Sequence, residues 1–223
     1  MSKMTALVLI DMQNDFLHPE GAYARGGVIS DQISILPKKL KPVAEAVQRA
    51  DGWIVSTHFT LVPGKNGKPF ISDHLLTLRP FLSEGDFSPG SFGHKLINEL
   101  APSDLMVEKI AYSAFYMSRM DWLLKQAGIK NLIFGGIVTH GGVASTVRDA
   151  HVHGYHNTVL SDGCAAFDAK VHNMSIEGLK TVAEVKTCDE IIKLLEHHRA
   201  ILIFHALGLN VLFVDCARVI HFP

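Results

Sequence analysis

The sequence predicts an α/β fold: a parallel sheet with helices on both faces. Three observations carry this. Short apolar runs alternate with helical patterns along the chain. The runs are continuously apolar, as expected of strands covered on both sides. The length, 223 residues, is that of one domain and allows roughly 70% of the unfolded surface to be buried around one core.

The expected strands are Ala6–Ile10, Trp53–Thr57, Leu105–Glu108, Leu132–Ile137, Thr158–Ser161 and a short Val182–Val185. Between the first two, Val43, Ala44, Val47 and Ala50 form a helical stripe. Met120, Leu123, Leu124 and Ala127 form another, and Gly52 and Gly128 stand where these helices should stop. Thr187 and Glu190 fit a capping box that opens a last helix reaching about Glu196. The segment Phe59 to Phe92 is rich in Pro, Gly and Ser and reads as a long excursion, the kind that forms lids or binding loops. No internal repeat or low-complexity linker is visible. Residues 1–198 read as the domain, and 199–223 as an apolar C-terminal extension without an assigned role.

Composition narrows the function classes. The formal net charge is −1 and no long basic run occurs, which argues against nucleic acid and anionic membrane as partners. Cys164, Cys188 and Cys216 are odd in number and lack metal or redox spacing, which suits a reducing cytoplasm. The N-terminus runs straight into a strand without a signal-peptide cleavage pattern. The apolar C-terminal stretch is interrupted by His205, Asp215 and Arg218, and falls short of the roughly 20 residues of a spanning helix. No Walker loop, G-x-G-x-x-G or G-x-S-x-G occurs. The expectation is a cytoplasmic protein acting on a small molecule.

In parallel α/β sheets, sites form at the carboxyl ends of strands. Asp11 follows the first expected strand, Lys109 the third, and the Gly141–Gly142 turn follows the fourth and opens a helix. Lys109 should favour an ionised Asp11, while burial should oppose it. Such opposed influences mark functional sites or structural ion pairs, and spacing alone leaves both open. The turn itself, "GGIVTHGGVAS", offers no nucleophile at its sharp bend. Ser145 and Thr146 lie further along the helix and read as helix-face packing. His151, His153 and His156 read as a solvated patch rather than metal ligands.

Three segments then become recognisable: "LVLIDMQNDFLHPEGAYARGG", "VEKIAYSAF" and "GGIVTHGGVASTVRDAHVHGYHNTVLSDGCAAFD". Together, in this order and spacing, they resemble the isochorismatase-like hydrolase superfamily over about Ala6 to Ile192. The resemblance implies a three-layer α/β/α domain with a six-stranded, mostly parallel, Rossmann-like sheet. Most members are amidohydrolases with an Asp–Lys–Cys triad, acting for example on nicotinamide, N-carbamoylsarcosine or ureidoacrylate. Asp11 and Lys109 match the first two members, and Gly142 falls at the position of the Cys. A thioester route through residue 142 is therefore excluded.

Isochorismatases carry Gly at that position and cleave a vinyl ether. By this resemblance Asp11 is the general acid that protonates the enol-ether carbon. Lys109 orients Asp11 or pairs with a substrate carboxylate. Gly142, Gly141, His140, Phe16, Val62 and Tyr112 fall on the substrate side. Gln13, Asp15 and Phe16 shape the first loop, Asp15 and Phe16 at positions that often line the pocket in the family, and Tyr112 and Phe115 belong to the pocket wall or an interface. Val62 replaces a Gln that helps hold isochorismate, which points to a different, less polar, compact substrate. The resemblance also implies a cis peptide at Ile137–Val138 and a homo-oligomer, dimer or tetramer. Nicotinamidases of the family bind a metal through Asp-x-His and a further His. Here His58 is kept but Ser56 takes the Asp position, so neither metal nor cofactor is expected. Cys164 reads as core packing. Two alternatives stand beside the acid-catalysed reading. One is an amide or ureide hydrolase in which Asp11 activates water, and the other is a silent binding protein on this fold.

Overall fold

The computed structural model describes residues 4–206. Six strands, β1 (Thr5–Ile10), β2 (Trp53–Phe59), β3 (Leu105–Lys109), β4 (Asn131–Ile137), β5 (His156–Ala165) and β6 (Glu184–Lys186), form one sheet in the order β3-β2-β1-β4-β5-β6. Every strand pair is parallel. The chain starts in the middle, walks to one edge, returns beside β1, and then walks to the other edge. The crevice at that reversal, between β1 and β4, lies at the carboxyl ends of the strands.

Helices cover both faces. α1 (Asn14–Leu17), α2 (Ala22–Arg25) and α3 (Asp31–Ser34) are single turns in the first crossover, followed by α4 (Leu36–Arg49). α5 (Asp73–Leu78) lies in the excursion. α6 (Met120–Gln126), α7 (Ala144–Val152), α8 (Ala169–Leu179) and α9 (Cys188–Ala206) complete the set. Leu36, Leu40, Val43 and Val47 of α4 and Ile191 of α9 pack on Leu7, Leu9, Ile54 and Ile133 on one face. Met120, Leu124, Val147, Ala150 and Leu179 pack on Val8, Ile10 and Phe134 on the other. This is the three-layer α/β/α, Rossmann-like architecture that the sequence predicts.

Several boundaries differ from expectation for local reasons. β6 starts at Glu184, two residues later than its apolar run, because the N–H groups of Val182 and Ala183 close a turn onto Leu179 O. β5 runs on to Ala165 through Asp162 and Gly163, across a register shift between Phe134 and Gly136. Asp51, not Gly52, takes the left-handed conformation after α4, with φ 60°. A β-carbon on Gly52 would stand 2.9 Å from Thr5 O, so that glycine serves close approach. The capping box forms as expected: Glu190 N donates to Thr187 Oγ1 at 3.2 Å, and Thr187 N to Glu190 Oε2 at 2.7 Å. α9 continues past Glu196 and across the 198/199 division. The rest of the expected extension, with Cys216, lies outside the described residues. No described helix is long and apolar enough to cross a membrane.

The excursion is tied down. Asp15 accepts from Ala22 N at 3.0 Å and from Phe87 N at 2.6 Å. Gln13 donates to Phe59 O and His94 O, both at 3.0 Å, and accepts from Phe59 N at 2.7 Å. Tyr23, Leu61, Leu82 and Phe87 form a third buried cluster, with Phe16, Phe59, Phe81 and Phe167 packed against it.

Candidate active site

Register brings the chemistry to one edge. Ile10 pairs with Thr57 and Gly136, and Phe59 with Lys109. Asp11, the residue after β1, therefore emerges beside Thr57 and near Lys109. It turns with φ 54°, a conformation that Asp tolerates better than most side chains. Its N–H donates to Thr57 O at 3.1 Å.

The carboxylate is held from both sides. Thr57 Oγ1 donates to Asp11 Oδ1 at 3.1 Å, and Lys109 Nζ lies 2.7 Å from Asp11 Oδ2. Lys109 Nζ also donates to Ala111 O at 3.0 Å, so two of its three N–H groups are engaged. The ammonium stands 5.6 Å from the centroid of the Phe59 ring. Both ionisable residues are buried. Burial raises the Asp11 carboxyl above the ordinary range, against the pull of Lys109 and the Thr57 hydroxyl.

Gly142 forms the third side. It sits in a π-helical turn, Thr139–Val143, that leads from β4 into α7, and the Ile137–Val138 bond before the turn is cis. A β-carbon on Gly142 would lie 3.2 Å from Asp11 Oδ2. Thr146 is buried, as a packing residue should be. It donates to Gly142 O at 2.7 Å and accepts from Ala114 N at 3.0 Å, which fastens the turn to the segment after β3.

These groups open into a cavity of about 260 Å³. Asp11, Lys109 and Gly142 line it together with Phe16, His140 and Tyr112, so the structure brings those six expected residues into one site. Two other expected residues lie outside the lining. Val62 is absent from the lining: it is 41% exposed, and its carbonyl accepts from Phe70 N across a local pairing in the excursion. Gly141 is also absent from the lining, and a β-carbon there would stand 3.0 Å from Val138 Cγ2 and 3.1 Å from the Tyr112 ring. Asp15 braces the excursion by its backbone bonds and does not line the cavity.

Sequence reasoning missed Tyr23, Phe59, Phe87, Phe167 and Arg79, which also line the cavity. The excursion was legible as a lid, but it has no periodicity to say which side chains turn inward. Neither Cys164 nor Cys188 lines the cavity, and burial pushes both thiols up. Behind β2, the His58 ring lies 5.1 Å from that of His94. His58 Nε2 is 3.0 Å from Ser56 Oγ, and His58 Nδ1 is buried without a hydrogen-bond partner. Burial lowers His58 to about 4. Among the described residues no group of three or more His, Cys, Asp or Glu is placed to hold a metal ion.

Comparison with known proteins agrees with this fold. A family profile described as the isochorismatase domain matches residues 5–190. The ureidoacrylate amidohydrolase RutB of Acinetobacter baylyi is 32% identical over 200 residues, covering 80% of this chain and 78% of its own length. A cysteine hydrolase from Pseudomonas syringae pv. phaseolicola superposes with a TM-score of 0.76 at 23% identity, over 88% of this chain and 94% of that one. An isochorismatase-like hydrolase from Alkaliphilus metalliredigens gives 0.68 at 25% identity, over 85% and 98%.

Proposed function

The chain belongs to the isochorismatase family of hydrolases, and on that premise we propose that it cleaves a small carboxylated substrate by acid catalysis through Asp11, without a covalent intermediate. One observation carries the reading: the Asp11 carboxyl faces Gly142 across the cavity, and by the resemblance residue 142 is the position of the attacking thiol. Burial favours the protonated form that an acid needs. A substrate carboxylate engaging the third N–H of Lys109 would weaken the hold of Lys109 on Asp11 and favour that form further.

For a vinyl ether the steps balance. Asp11 gives its proton to the terminal alkene carbon, and the ether carbon becomes an oxocarbenium centre. Water adds there and returns a proton to Asp11. The hemiketal then collapses to an alcohol and a 2-oxo acid. The test is release of pyruvate from isochorismate by the wild-type protein and its loss in Asp11→Asn.

A second reading is favoured by the RutB similarity: hydrolysis of an amide or ureide by water that an ionised Asp11 activates. Consumption of ureidoacrylate without a covalent adduct would select it. Binding without turnover of either compound would leave the third reading, a silent site. Assembly as a dimer or tetramer belongs to the proposal. Tyr116, Met117 and Trp122 expose large apolar surface after β3, and light scattering tests the number.

A further inference from the structure

Among the described residues Asp11 is the only carboxylate that lines the cavity, and Lys109 already meets it at 2.7 Å. The cavity has a second basic side chain, Arg79, at the end of α5 in the excursion. No carboxylate among the described residues pairs with it. Arg25, by contrast, is taken by Asp86. Two of the five guanidinium N–H groups of Arg79 are engaged: Nε donates to the Tyr23 hydroxyl at 3.2 Å, and Nη1 to Leu78 O at 2.8 Å. The unengaged remainder includes both N–H groups of Nη2. Tyr23 is itself held rigidly. Its ring stacks on Phe167 with centroids 5.7 Å apart and meets Phe16 at 4.7 Å. Burial raises its phenol above the ordinary range, so it stays protonated. Because that hydroxyl accepts from Arg79, its own proton is left to donate.

We propose that Arg79 and Tyr23 form a carboxylate subsite in the cavity wall. The substrate then sets one carboxylate against Arg79, distinct from any that meets Lys109, and its scissile bond against Asp11 and Gly142, and the Phe16 and Phe167 walls suit a flat, unsaturated body. A planar fork that meets two oxygens at once suits a carboxylate better than a point charge does. This rests on the cavity being the reaction site, but it is tested by binding rather than turnover.

The probes are benzoate and benzamide, which share a shape and differ in charge, titrated by calorimetry into the whole protein. Asp11→Asn serves as a second, inactive background. Wild type is expected to bind benzoate at least about tenfold more tightly than benzamide. Arg79→Gln should lose most of that preference while binding benzamide within about twofold of wild type, and Arg79→Lys should recover part of it. Tyr23→Phe should weaken benzoate by less than Arg79→Gln does. No preference in wild type, a preference that survives Arg79→Gln, or equal loss of both probes would overturn the subsite. Failure to release pyruvate from isochorismate leaves it standing, and its own failure leaves the Asp11 chemistry untouched.

Discussion

Asp11 and Gly142 approach so closely that a β-carbon on residue 142 would stand 3.2 Å from Asp11 Oδ2 and 3.0 Å from Ile137 O. Either the carboxylate or the turn must yield if a side chain is added. Gly142→Ala should lower kcat by about tenfold to a hundredfold, since small misplacements of a reacting group cost that much. Gly142→Cys should neither restore activity nor form an acyl-enzyme detectable by mass spectrometry. A covalent adduct on turnover of a carboxamide would show that the site is still built for a thiol.

Asp11→Asn keeps an oxygen for Lys109 but has no proton of the right acidity. Turnover should fall by about 10²–10⁴-fold. Lys109 is 3% exposed and loses its counter-charge, so stability should also fall, by up to about 3 kcal/mol. Steady-state kinetics and urea unfolding measure the two effects, and retained turnover would remove Asp11 from the chemistry.

The pH profile separates the two catalytic readings. The Asp11 carboxyl is raised by burial, so the acid form is lost as pH climbs through that raised value. Acid catalysis predicts a kcat/KM that falls with rising pH along that limb, and water activation predicts one that rises. Stability follows the same group. A raised carboxyl binds its proton more tightly when folded, so its contribution is largest in acid and declines as pH rises above the ordinary 3.8.

His58 acts in the opposite sense. Its folded value lies at about 4 against an ordinary 6.5, so the unfolded chain binds the proton more readily. Stability should fall as pH drops from 6.5 towards 4, by about 3 kcal/mol at 1.36 kcal/mol per unit. Replacing it by Gln should flatten that slope in chemical denaturation. An unchanged slope would place the pH sensitivity elsewhere.

Asp15→Ala takes the acceptor away from Ala22 N and Phe87 N together. Two buried N–H groups left without partners should cost roughly 2–5 kcal/mol. The excursion should become the first site of proteolysis, read by limited digestion. Uniform loss of protection across the chain would show that Asp15 supports the whole fold instead.

The sheet was legible because continuous apolar runs such as Ala6–Ile10 admit few other environments, and its strand ends delivered Asp11, Lys109 and Gly142 to one edge. The cavity walls were not legible. Tyr23, Phe87, Phe167 and Arg79 come from separate segments, and long-range packing alone turns them inward. Val62 shows the converse: correspondence of position fixes where a residue lies along the chain, while the excursion, where Val62 O accepts from Phe70 N, leaves Val62 exposed and outside the lining.

The aromatic cluster around Tyr23 and Phe87 has its own buried members and joins one of the two layers that hold the sheet only through Phe16 and Phe167. On the proposed reading, reaction and recognition thus draw on largely different parts of the molecule. The walls can be rewritten by mutation while the strands that aim Asp11 and Lys109 keep their foundations. Descendants of such a scaffold can change diet without relearning how to fold, and engineered libraries confined to the excursion should survive at far higher frequency than libraries spread over the sheet.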